Sequence, residues 1–250
     1  TINMSSVWLI RHSERLDHVD RNKWKKSYRY KQNKHDTPLS KYGFKIAKKA
    51  AKKIFQKEKN IEDIKYIYSS PMTRCIQTSV VLQDYIREKT GHLPLIRIEY
   101  ALREIYTISE LNYVTLSRGL FKDNYDNEDF FYLDDQLRLP NLFKKFRYRF
   151  DTTYKPLMKF EDVSSKDKNY RSAYNNIVKT YRYIEKNDKH NKIISCHGGV
   201  LIPLHAYLMG SFDNDSNFHD KFLDDNYCVL SNFVNKKLKY GPTTRFWKNS

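Results

Sequence analysis

Cysteine is scarce in this chain. Its 250 residues hold three, Cys75, Cys196 and Cys228. So few thiols, so unevenly spaced, exclude a disulfide framework and a cysteine zinc site. Cys75 and Cys196 fall inside sequence blocks discussed below, where a small buried thiol packs well. That usage suits a reducing compartment, and a cytoplasmic location is expected. Long apolar runs are also missing: none approaches the roughly 18 residues that a membrane span needs. No leader pattern is visible, so no membrane association is expected. There is no internal repeat and no low-complexity linker. No His, Cys, Asp or Glu cluster has metal-ligand spacing, and neither a metal nor an organic cofactor is expected.

Positive charge, by contrast, is abundant. Lys and Arg number 46 against 29 Asp and Glu, a formal net charge of +17. Its distribution matters more than its size: Arg21 to Lys59 carries 15 Lys or Arg against only Asp36 and Glu58, an excess of 13. Two readings stay open. The stretch either concentrates anionic ligands near a cleft or consists of solvated faces. No nucleic-acid recognition motif accompanies it, so nucleic acid is not expected as a partner. Hydrophobic residues make up 40% of the chain and aromatic ones 15%, enough to build a core.

Apolar periodicity sets out the elements. Val7-Trp-Leu-Ile10 reads as a buried strand ending at the charged cluster Arg11-His-Ser-Glu-Arg15. Residues 17–37 show no period and read as loop or short helices. Asp36-Thr-Pro-Leu-Ser40 reads as a helix start, with Ala47, Ala50, Ala51 and Ile54 at helical spacing after it. Strands are expected over Asp63 to Tyr68, Leu95 to Ile98 and Lys192 to Ser195, with an edge-like strand over Asn226 to Val234. Helices are expected over Thr73 to Glu88, Ser172 to Glu185 and Val200 to Met209. Residues 105–161 lack sustained period and read as a helical or irregular insertion over one end of the core. Alternating strands and helices predict a single α/β domain over 1–250, a three-layer α/β/α sandwich around a mostly parallel sheet. His12 and His197 both follow predicted strands, where open α/β sheets place their ligands.

Phosphoryl transfer needs a nucleophile, fixed positive charge on the phosphate oxygens and an acid for the leaving oxygen. Arg11-His12 offers an imidazole nucleophile beside a guanidinium, whose planar fork binds two phosphate oxygens. A lone His is more often structural than catalytic, but His12 does not stand alone. Leu9-Ile-Arg-His-Ser-Glu-Arg15 resembles the arginine-histidine-glycine-glutamate motif of the histidine phosphatase superfamily, which has the phosphoglycerate mutase-like fold. Tyr68-Ser-Ser-Pro-Met-Thr-Arg-Cys-Ile-Gln-Thr78 resembles its second block and Ser195-Cys-His-Gly-Gly199 the block of its second histidine. Asp36-Thr-Pro-Leu-Ser-Lys-Tyr-Gly43 resembles the helix start between the first two. All four occur in the family's order.

Within the superfamily, Arg15, Arg74-Cys-Ile-Gln-Thr78 and Asp151-Thr-Thr-Tyr-Lys-Pro156 resemble the Sts or TULA phosphatases and their ecdysteroid-phosphate phosphatase relatives. The resemblance implies a phosphomonoester hydrolase in which His12 becomes phosphorylated. It implies that Arg11, Arg15 and Arg74 bind phosphate, that His197 hydrogen-bonds it from the opposite side, and that Glu104 serves as acid and base. Asp17 and Glu110 are weaker candidates for that last role. An anionic phosphorylated substrate is implied, a phosphotyrosyl protein or a small phosphorylated metabolite, and relatives of this kind form dimers. A mutase-type phosphotransferase and a weakly active polyanion-binding module are the alternatives. Ser13 stands where the motif has glycine, which implies a narrower pocket or an added hydrogen bond. Asp17 stands where the acid phosphatase branch carries proline, which argues against a phytase-like enzyme.

Overall fold

The computed structural model describes residues 5–27, 30, 34–105, 147–158, 170–211 and 227–244. Six strands form one sheet: β1 (Ser6–Arg11), β2 (Tyr66–Ser69), β3 (Leu95–Ile98), β4 (Lys192–Cys196), β5 (Leu230–Val234) and β6 (Lys237–Thr243). Their order is β3-β2-β4-β1-β5-β6. The first four are mutually parallel, β5 runs antiparallel to β1, and β6 runs antiparallel to β5. The expected α/β sandwich is present. Two corrections follow: β5 is no edge, since it lies between β1 and β6, and β6 itself was not foreseen. Its sequence, Lys-Leu-Lys-Tyr-Gly-Pro-Thr, is largely exposed and carries no apolar run, so hydrophobic patterning could not reveal it.

The central strands read as continuous apolar runs because both sheet faces are covered. Successive side chains of β1 point to opposite faces. Trp8 and Ile10 enter a core with Ile46, Ala50, Ile54, Ile76 and Val80. Val7 and Leu9 enter a second core with Ile177, Tyr181, Val200 and Leu204. The first core is roofed by α3 (Lys41–Lys57) and α4 (Thr73–Thr90), the second by α5 (Tyr170–Asn187) and α6 (Gly198–Leu208). Two short helices, α1 (Leu16–Val19) and α2 (Arg21–Lys26), occupy the stretch after β1. Of the expected insertion, residues 147–158 are described. Asp151 N donates to Ile96 O at 2.9 Å, Arg97 pairs with Asp151 at 2.9 Å, and the Tyr154 hydroxyl donates to buried Glu99. The segment is thus strapped along β3. Glu110 lies outside the described residues.

Helix α3 starts against the loop after β1. Its N-cap is Ser40, whose Oγ accepts from Gly43 N at 2.8 Å, and Ser40 N donates to Glu14 O at 2.9 Å. A Cβ on Gly43 would stand 2.4 Å from Glu14 O, a backbone atom that no rotamer change can move. We therefore expect Gly43→Ala to cost about 1–3 kcal/mol, the range for overpacking. Thermal unfolding should fall by roughly 3–10 °C for a chain this long. An unchanged melting curve would show that α3 and the loop separate freely.

Candidate active site

The site follows from strand register. In the β1–β4 pair Ile10 faces Ser195 and Arg11 faces Cys196. The next residues, His12 and His197, therefore leave adjacent parallel strands at the same level. His12 N continues the ladder by donating to Cys196 O at 2.9 Å. The two imidazoles meet edge to face, with ring centroids 5.2 Å apart and planes at 63°. Both are buried, at 1% and 0% exposure.

His12 Nδ1 lies 2.8 Å from Ser13 O. A carbonyl only accepts, so Nδ1 carries the proton and Nε2 keeps its lone pair. Burial first, then the charges of Arg74, His197 and Arg11, hold the His12 pKa well below 6.5. His12 is therefore a neutral imidazole. Burial likewise lowers His197 to about 4, against the pull of Glu104 and with the push of Arg74. Its Nε2 contacts Ser70 Oγ at 2.8 Å, while Nδ1 faces Glu104 Oε2 at 3.0 Å.

Arg74, on the first turn of α4, is 1% exposed. It donates to Glu104 Oε2 at 3.2 Å and to His35 O at 3.2 Å, and its Nη2 is 3.2 Å from His197 Nδ1. The second sequence block explains how it is held. Asp36, buried, accepts from Thr73 N at 2.8 Å and Thr73 Oγ1 at 2.6 Å, capping the start of α4 from another loop. Gln77 Oε1 accepts from Leu39 N at 2.8 Å, and Thr78 Oγ1 from Ser13 N at 3.2 Å. Cys75 packs its thiol 3.4 Å from His197 Nε2. Arg11 lies close enough to Glu104, Arg15 and Arg74 to feel their charges, and burial, the largest effect, lowers its pKa.

Glu104 combines reach with strong polarisation. Burial works to raise its carboxyl pKa, but His197, Arg74 and Arg11 outweigh that and hold it far below the usual carboxylate range. The side chain is still 24% exposed, so it stands at the mouth rather than the floor. The raised pKa that a resting general acid would have is not what the ligand-free site provides.

Arg15 stands apart from this convergence. Its fork is bidentate on Asp17, Nε to Oδ1 at 3.0 Å and Nη2 to Oδ2 at 2.6 Å, and its side chain is 24% exposed. Asp17 thus serves as its partner at the rim. Ser13 makes the added hydrogen bond, but to the backbone of α3. Its hydroxyl donates to Gly43 O at 2.6 Å, tying the loop after β1 to α3. Two contributors escaped sequence reasoning. Ser70 sits inside the second block and was visible there as a hydroxyl at a strand end. Tyr227 had no signal; its ring lies 6.4 Å from His12 and 5.8 Å from the Arg11 guanidinium, and its hydroxyl pairs with His18.

Donor atoms of His12, Glu104 and His197 lie within 4.8 Å of one another, a spacing that would suit a metal ion. Two imidazoles and one carboxylate are plausible ligands for a transition metal. The field argues otherwise: Arg11 and Arg74 border the same space, and their guanidinium groups favour an anion there and oppose a cation.

Comparison with known proteins agrees with this geometry. Residues 7–108 match the histidine phosphatase superfamily (branch 1). A phosphoglycerate mutase family protein of Acanthamoeba polyphaga mimivirus is 37% identical over 101 residues, 40% of this chain and 45% of that protein. The chain thus matches less than half the length of this curated relative. Among solved structures, the ecdysone phosphate phosphatase of Bombix mori in complex with tungstate superposes with a TM-score of 0.55 at 18% identity, covering 95% of this chain and 93% of that one. A mycobacterial glucosyl-3-phosphoglycerate phosphatase in complex with inorganic phosphate gives 0.50 at 16% identity, over 97% and 99%. At such identities these two likenesses speak for the fold alone. The segment 7–108, which supplies His12, Arg74 and Glu104, thus resembles the histidine phosphatase superfamily, and the described chain shares the α/β fold of these solved phosphatases.

Proposed function

We propose that this protein hydrolyses phosphomonoesters through a phosphohistidine on His12. The observation that carries the reading is the buried imidazole pair, with His12 Nδ1 tied to a carbonyl and two guanidinium groups alongside. A neutral imidazole with a fixed tautomer presents Nε2 as a nucleophile without first losing a proton. Phosphate oxygens would be held by Arg11 and Arg74, by His197 Nδ1–H, and by Arg15 once its fork exchanges Asp17 for phosphate. In the first step Nε2 bonds to phosphorus as the ester oxygen leaves and takes a proton. In the second, water attacks the phosphohistidine, giving its proton to a base and releasing inorganic phosphate and His12.

Glu104 is the group for both proton transfers, with a condition set by its charge state. Resting Glu104 is a carboxylate occupying the donors of Arg74 and His197. A bound phosphate claims those same donors, and the released carboxylate, facing a like charge, gains proton affinity. A substrate monoanion can bring the proton, since the second ionisation of a phosphate ester lies near pH 6. The resemblance to the Sts and ecdysteroid-phosphate phosphatases supports a phosphotyrosyl protein or a small phosphorylated metabolite as substrate. A mutase would use the same groups but need a phosphorylated primer. The weakly active binding module rested on Ser13, and that argument loses its force because the Ser13 hydroxyl points to Gly43.

His12→Ala should lower kcat on p-nitrophenyl phosphate on the order of 10³-fold or more. The wild-type protein, quenched in alkali during turnover of labelled substrate, should carry an acid-labile phosphoryl group on His12. Equal turnover by the two proteins would end the proposal, and turnover that appears only with a bisphosphate primer would replace it with the mutase.

Glu104→Gln should depend on the leaving group. With an alkyl phosphate kcat should fall about 10²–10⁴-fold, as for loss of a general acid. With p-nitrophenyl phosphate, whose leaving group needs little protonation, the loss of phosphorylation rate should be much smaller. Equal losses in pre-steady-state phosphorylation would remove Glu104 from the acid role.

For pH, kcat/KM reports the free enzyme and free substrate. Because the His12 pKa lies well below 6.5 and that of His197 near 4, neither imidazole protonates as pH falls from 8 to 6. The rate should therefore rise over that interval as the substrate gains its proton. A collapse centred on 6.5 would mean that His12 keeps an ordinary imidazole pKa.

A further inference from the structure

Helix α3 settles which half of the basic stretch is unusual. Its inner face is buried through Gly43, Ile46, Ala47, Ala50, Ala51 and Ile54. Its outer face carries Lys41, Lys45, Lys48 and Lys52, all exposed, with Lys49 and Lys53 half-buried beside them. The helix contains no acid, and none stands in its first turn. A solvated face would be served equally well by mixed Lys and Glu, which stabilise a helix at i,i+4 spacing. Here five Lys–Lys pairs fall at that spacing, 41–45, 45–49, 48–52, 49–53 and 53–57, and each works against the helix. Lys41 adds a positive charge at the positive end of the helix dipole. Glu88 on α4 acts on Lys48, but it is itself paired with Lys89 at 2.9 Å. Solubility alone does not call for this forfeited stability.

The strip is also placed with respect to the site. It begins at the His12 end of the sheet, where Ser13 bonds to Gly43 and Ser40 to Glu14. It ends at Glu58, which accepts from Trp8 Nε1 at 2.9 Å. Seventeen residues span about 25 Å, the reach of an extended peptide of about seven residues. The residues Arg21, Lys23, Lys25 and Lys26 of α2 are exposed too. Their helix joins the same end of α3, because Leu16 N bonds to Pro38 O and Arg15 bridges Leu39.

We propose that the outer face of α3 is a docking surface for an acidic polypeptide segment, laid along the lysine row with one end at the mouth of the site. The helix presents ammonium groups and no guanidinium, which suits single carboxylates rather than the bidentate grip of phosphodiesters. Tyr42 is the sole aromatic side chain that α3 exposes, so no stacking ladder for bases exists. Phe44 and Phe55 are half-buried, and Phe55 packs against the core, so no apolar row faces outward to enter a lipid surface. Docking does not depend on the phosphatase reading and is tested without it.

The test is fluorescence anisotropy with a labelled 12-residue Glu-rich peptide, a Gly-Ser peptide, a single-stranded 12-nucleotide oligomer and vesicles containing phosphatidylserine. The full chain is compared with Lys41→Gln/Lys45→Gln/Lys48→Gln/Lys52→Gln, and melting of both is measured. The acidic peptide should bind at low salt, weaken steeply with added salt, and lose about tenfold or more in affinity in the variant. The variant should melt at the same temperature or higher, since repulsion is relieved, and any hydrolysis of p-nitrophenyl phosphate should be unchanged. His12→Ala should bind the peptide as the wild type does, which separates docking from catalysis. Equal peptide affinity for wild type and variant would overturn the proposal, as would tighter binding of the oligomer or vesicles than of the peptide. A variant that melts lower would show that the lysines are structural.

Discussion

The site depends on one register. If β4 slid by a single residue against β1, His197 would leave the level of His12, and every side chain of β4 would change faces. The slide is prevented from both sides. Ile193 belongs to the core under α3 and α4, whereas Ile194 and Cys196 belong to the core under α5 and α6. Hydrophobic alternation in the strands thus holds two polar rings at their ends in a fixed relation. Because the rings sit where the ladder runs out, their imidazoles meet each other while their backbones remain hydrogen-bonded.

Burying imidazoles and guanidinium groups is costly unless each finds partners, and the surrounding loops supply them. Residues 35–39 are stapled to α4 through Asp36–Thr73, His35–Arg74 and Leu39–Gln77. The loop that carries His12 is stapled to α4 through Ser13–Thr78 and to α3 through Ser13–Gly43. Three separate segments therefore converge on Arg74 and His12. Side chains held this way are organised before any ligand arrives, which is where fixed charge is most effective.

Much of this was legible in the sequence because it rests on short buried runs ending in polar residues. Leu95–Ile98 was read with its observed bounds, and the His12 and His197 strands were read to within a residue or two. Other features depend on what lies across space. Ser13 looked like a perturbation of the phosphate pocket, and only the approach of α3 to within a Cβ of Glu14 gives its hydroxyl another destination. The resting partner of Arg15 was not legible either, because Asp17 was read only as a carboxylate competing with Glu104. Tyr227 reaches His12 from the turn just before β5, and one tyrosine among 20 carries no pattern.

The electrostatics of the site follow the same logic of competition for a few donors. Glu104, His197 and Arg74 form a closed set in which one carboxylate satisfies an imidazole and a guanidinium. An incoming anion enters that set by replacing the carboxylate. Affinity for phosphate and the proton affinity of Glu104 are therefore coupled: what strengthens the anion's hold on Arg74 and His197 also frees Glu104 to bind a proton. A cation entering the same space would gain Glu104 but lie against Arg11 and Arg74. The balance of charge, rather than the identity of the three nearest ligand atoms, favours an anion over a cation here.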